Sequence, residues 1–143
     1  MKNSDISIEI YNAKPISFQV NSENNFKGEL NLDNISLVLN TEFQVDKKNS
    51  MVAIKIDIAV LLKKNKENLF SLISFFEFGV FDLKDVLIKK DGSNVLESSF
   101  VRKLLNISIG GTRGMLSVYL SSTQYSDFTL PIANIPDDFF EKE

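Results

Sequence analysis

The chain has 143 residues, 43% of them hydrophobic and 24% charged, with a formal net charge of -3. This is the composition of one folded domain, and its acidic balance argues against nucleic acid, which needs a basic surface to displace counterions from phosphates. With neither His nor Cys, the chain lacks the commonest general base, the thiol nucleophile and the usual transition-metal ligands, so no enzyme, metal centre or cofactor is expected.

Residues Met1 to Asp5 are too polar for a signal peptide, and with no Cys a cytoplasmic address is the expectation. No run approaches 18 apolar residues, so no membrane insertion is expected. Ile6, Ile8 and Ile10 alternate with polar residues, Pro15 interrupts, and Ile16, Phe18 and Val20 alternate again. This reads as one interrupted strand, with the proline suited to a sheet edge. Asn21 to Asn34 is polar around Phe26, Gly28, Leu30 and Leu32 and reads as a long crossover loop.

Ile35, Leu37, Leu39, Phe43 and Val45 then recur with period two, as do Val52, Ile54, Ile56, Ile58, Val60 and Leu62. The polar stretch Asp46 to Ser50 between them marks a hairpin. After a second polar turn, Lys63 to Asn68, the run Leu69 to Phe81 is apolar on both faces, with Leu69, Ile73 and Phe75 on one and Phe70, Leu72, Phe76 and Phe78 on the other.

At Asp91-Gly92-Ser93-Asn94 the spacing becomes helical, with Asn94 as the expected N-cap, Glu97 three residues later, and Leu96, Phe100, Val101, Leu104 and Leu105 as the apolar stripe. Gly110, Gly111 and Gly114 punctuate two helices or one kinked helix over about 94–125. An extended tail, 128–143, follows, and Asp137, Asp138 and Glu141 suit the start of a short terminal helix. The fold class is therefore α+β: a four-stranded antiparallel sheet over about 6–81, followed by C-terminal helices packed on one face, in a single domain over 1–143. Gly110-Gly111-Thr112-Arg113-Gly114 superficially suggests a phosphate loop, but it lacks the Lys-Ser/Thr ending and follows a helix, so a helix break with close packing is the better reading.

Ile16-Ser17-Phe18 with the polar stretch to Phe26, the strand end Phe78-Gly79-Val80-Phe81, and the segment Gly110 to Tyr125 followed by Phe128-Thr129-Leu130-Pro131-Ile132-Ala133-Asn134-Ile135 together resemble the SecB family of protein-export chaperones and SecB-like chaperones over nearly the whole chain. The resemblance implies a homotetramer, a dimer of dimers, that holds unfolded or precursor polypeptides in apolar grooves without nucleotide. Phe26, Phe75, Phe78, Met115, Tyr119 and Phe128 are the client-binding residues it implies. Phe70, Phe76, Phe100 and Leu104 are those expected at the oligomer interface.

Where exporting members carry acidic side chains that dock the motor SecA, this chain aligns Pro15, Gln19 and Ser74, and the zinc-binding tail of those members is not expected here. Loss of the motor contacts leaves an antitoxin as an expected partner, in a chaperone controlling a toxin-antitoxin pair, beside a general holdase. The alternative is an adaptor or structural subunit with one dedicated protein partner.

Overall fold

The computed structural model describes residues 7–22 and 29–131. Four long strands, β1 (Ile8–Val20), β2 (Ile35–Asp46), β3 (Met51–Leu62) and β4 (Asn68–Val80), form one antiparallel sheet in the order β1-β4-β3-β2. The chain therefore crosses from one edge of the sheet to the other between β1 and β2, as the long polar segment predicts. The interrupted strand is one strand, with bulges at Tyr11 and Ile16 and with Pro15 opposite Ser74. Because β1 is an edge strand, the missing amide of Pro15 is tolerated there.

Both polar turns close hairpins. In the first, the Asp46 carboxylate accepts hydrogen bonds from the backbone N–H (3.1 Å) and the side-chain amide (2.8 Å) of Asn49, which lower its pKa. In the second, the Asn65 side chain accepts the Glu67 N–H at 3.0 Å.

Register assigns the faces. The even-numbered residues of β3 from Val52 to Leu62 and of β4 from Phe70 to Val80 all point inward and are buried. They are opposed by a single helix, α1 (Ser98–Leu120), which buries Phe100, Leu104, Leu105, Ile109, Leu116 and Leu120. Gly110, Gly111 and Gly114 do not break it, which corrects the expectation of a kink or a second helix. Gly111 instead admits β4, since a Cβ there would stand 2.8 Å from the Phe76 ring.

The expected helix start at Asn94 is also corrected. Leu87–Lys90 (β5) and Ser93–Leu96 (β6) form a small hairpin, preceded by a 3-10 turn at Leu83–Val86, and α1 begins only at Ser98. Asp91 and Gly92 both have positive φ, 53° and 80°, the backbone of a tight two-residue hairpin turn.

After α1 the chain folds back over the start of β4. Phe70 packs against Tyr125 and Phe128, each at 5.1 Å between ring centres. The Tyr125 hydroxyl donates to the carbonyl of Asn21 at 3.1 Å.

Candidate functional site

A sheet with one helix across it has two kinds of surface where apolar side chains remain uncovered: the outer sheet face, and the margins of the inner face that the helix does not reach. The expected client-binding residues divide among these. Phe75 lies on the outer face, half-buried, with the Lys14 ammonium 5.9 Å from its ring centre. Phe78, three residues away, points inward and is fully buried, so the two cannot line one groove, and Phe78 is corrected to a core residue. Phe26 lies outside the described residues.

Met115 and Tyr119 lie outside the fully buried core. Tyr119 is 37% exposed and stacks on Phe18 of β1 at 4.9 Å with 18° between the rings. Met115, one helical turn before it, is half-buried against the core, and Val118 beside it is 72% exposed. This aromatic and thioether surface at the β1 edge is the first candidate binding surface. Phe18 was legible as a strand residue, but nothing local in the sequence pairs it with a helix about a hundred positions later. Phe128 is mostly buried against Phe70 and lines shallow clefts on both sides of the returning segment, one with Leu30 and the other with Gly110, Gly114 and Leu130.

The four expected interface residues are closed within the single chain. Phe70 lies under Tyr125 and Phe128, Phe76 against Gly111, and Phe100 and Leu104 on the buried face of α1. Each is 2% exposed or less, so none is at the surface where a second copy could reach it. The aromatic richness of β4 thus largely reflects core packing.

Of the three positions aligned with motor-docking acids, Gln19 faces outward. Pro15 and Ser74 oppose one another on the inner face, where the Ser74 hydroxyl lies 2.8 Å from that of Thr112 on α1.

A second apolar surface went unrecognised at the sequence level. Phe43 and Val45 near the end of β2, Ile88, Val95 and Leu96 of the β5-β6 hairpin, and Val101 in the first turns of α1 line a cleft of about 420 Å³. The signal for it was Asp91-Gly92, whose hairpin preference puts Ile88 and Val95 opposite one another.

Among the described residues no helix is long and apolar enough to cross a membrane, and no group of three or more acidic side chains is placed to hold a metal. No family model matches this chain, and no curated protein matches it in sequence. In structure it is similar to the Mycobacterium tuberculosis SecB-like chaperone Rv1957, solved in complex with a ChAD peptide from the Rv1956 HigA1 antitoxin. The likeness covers 89% of this chain and 90% of that one, with a TM-score of 0.54 and 10% sequence identity. The fold is therefore SecB-like: a four-stranded antiparallel sheet followed by a C-terminal helix.

Proposed function

We propose that this chain is a SecB-like molecular chaperone, a nucleotide-independent holdase that binds unfolded polypeptide segments, with an antitoxin as its foremost expected client. The observation that carries the reading is an apolar surface left uncovered by the chain's own fold. Phe18, Met115, Val118 and Tyr119 gather at one margin of α1 although the core has ample apolar material elsewhere. A flexible thioether beside an aromatic stack accommodates varied apolar side chains, as an unspecific binder requires. The likeness to a chaperone solved with an antitoxin peptide supports the same reading and favours a toxin-antitoxin setting over export.

A cytoplasmic address and a homotetrameric assembly belong to the proposal. The assembly must be built from residues other than Phe70, Phe76, Phe100 and Leu104, which the single chain already closes. An adaptor with one dedicated partner is the competing function, and it predicts no affinity for unrelated unfolded chains.

The test is suppression of aggregation of two unrelated unfolded proteins at stoichiometric amounts, followed by light scattering. Protection of both is expected, weakened by Tyr119→Asp, a substitution at a partly exposed position that leaves the core intact. Protection of neither client would overturn the holdase reading.

A further inference from the structure

Oxidisable side chains are few in this protein. It has no Cys, no Trp and no His, and three Met. Cysteine and methionine sulfur are the side-chain atoms that peroxides attack most readily, so without a thiol the targets are Met1, Met51 and Met115. Met1 lies outside the described residues.

The other two have different surroundings. Met51 opens β3 on the outer face of the sheet, opposite Asp46 of β2 and Gly79 of β4. Met115 belongs to the Phe18-Tyr119 surface and is half-buried against the core. On a helix, the residues three and four positions away are the ones that can cover a side chain. Around Met115 these are Gly111, which has no side chain, Thr112, which is buried in contact with Ser74, and Val118 and Tyr119, which are 72% and 37% exposed. Gly114, immediately before it, gives no cover either, since a Cβ there meets nothing within 4 Å. The thioether is therefore lightly screened by its own helix.

Oxygen at this sulfur reverses the property that suits it to the surface. The thioether is apolar and flexible, and so accepts varied apolar partners. Its lone pair attacks one oxygen of a hydroperoxide, and the O–O bond breaks as the S–O bond forms. The proton of the transferred hydroxyl passes to the departing oxygen, which leaves as water or an alcohol. Sulfur is oxidised as the peroxide is reduced, and the product is a polar sulfoxide that thiol-dependent reductases return to methionine. An apolar client settling on the sulfoxide oxygen would bury it without a hydrogen-bond partner, which opposes binding.

We propose that Met115 is a reversible oxidation site, at which hydroperoxide switches the Phe18-Tyr119 surface from holding unfolded clients to releasing them. This deepens the reading of that surface as the client-binding one and rests on it.

The test treats the full chain with hydrogen peroxide, removes the oxidant, and titrates the product with a fluorescently labelled, reduced and alkylated unfolded protein. Mass spectrometry of proteolytic fragments locates the sulfoxides, and each variant is compared with itself before and after treatment. The expected result is sulfoxide at Met115, an unchanged circular dichroism spectrum, and an affinity lowered about tenfold that methionine sulfoxide reductase with its thiol reductant restores. Met115→Leu should bind equally before and after treatment, whatever its starting affinity, whereas Met51→Leu should respond as the parent chain does.

Met115 left unoxidised in the folded chain, or oxidised with affinity unchanged, would overturn this inference and leave the chaperone reading standing. So would a peroxide effect that persists in Met115→Leu, or one accompanied by loss of the helical spectrum. Absence of client binding by the untreated chain, with Met115 oxidised as expected, would instead remove the reading on which the switch rests, and the switch with it.

Discussion

Between Ser74 of β4 and Thr112 of α1 lies a buried polar contact whose direction can be deduced. Thr112 has one hydroxyl proton, and it goes to the carbonyl of Ser108 at 2.7 Å, so Ser74 is the donor in the 2.8 Å contact between the hydroxyls. Removing the two partners should therefore have unequal effects. Ser74→Ala leaves Thr112 with its own proton placed and should cost about 1 kcal/mol. Thr112→Val strands the Ser74 hydroxyl in an apolar layer and should cost about 1–3 kcal/mol, with both read from urea midpoints. The glycines of α1 allow a similar contrast. A Cβ on Gly110 or Gly114 meets nothing within 4 Å, so alanine there should stabilise by about 0.5–1 kcal/mol through helix propensity. At Gly111 the Cβ would press on the Phe76 ring, and overpacking of about 1–3 kcal/mol outweighs that gain. Thermal melts of the three variants check the order, and a loss at all three would mean that a neighbour covers the exposed face of the helix.

One of the contacts that dock the segment after α1 involves a group that titrates, the Tyr125 phenol. Burial, and then the nearby Glu67 carboxylate, raise the Tyr125 phenol above its ordinary value of 10.0. Below that value both folded and unfolded chains keep the proton, and the docking of this segment contributes in full. As pH rises through it, the unfolded chain releases the proton first, so stability is lost progressively up to the raised folded value. Urea midpoints measured from about pH 8 to about pH 11 should fall at the alkaline end, and Tyr125→Phe should flatten that fall while costing about 1 kcal/mol at neutral pH through the lost bond to Asn21. An equally steep fall in the variant would assign the titration to other groups. Elements were legible in proportion to the length of their pattern. The period-two runs of β2 and β3 and the turns between strands follow directly from alternation and turn chemistry, and the crossover follows from a polar stretch too long for a hairpin. The hairpin β5-β6 was read as a helix start because Asn94 and Glu97 mimic a capping pair, although Asp91-Gly92 specified a tight turn. The glycines of α1 were read as a break because close approach to Phe76 is a tertiary fact. The grouping of Phe75 with Phe78 as site residues has a different cause, since alternation along β4 alone assigns them to opposite faces.

Taken as a whole, the molecule separates a dense core from apolar margins. The inward side chains of β3 and β4 and one face of α1 form the core, and Phe70, Phe76, Phe78 and Phe100 are all within it. On the side that carries the helix, apolar surface stays uncovered at the two ends of the helix, the Phe18-Tyr119 stack by β1 and the cleft between β2 and the hairpin, and the outer sheet face keeps exposed Val38 and half-buried Phe75. Separate surfaces on opposite margins suit a long extended client that touches the protein at more than one place, so that weak contacts combine into useful affinity. The most direct measurement is calorimetric titration of the chain with a reduced and alkylated, permanently unfolded protein at several temperatures, beside the same protein in its native form. Burial of apolar margins predicts binding of the unfolded form without nucleotide, with a clearly negative heat-capacity change, and no heat from the native form. Absence of binding to the unfolded form, or equal binding of both forms, would contradict the account.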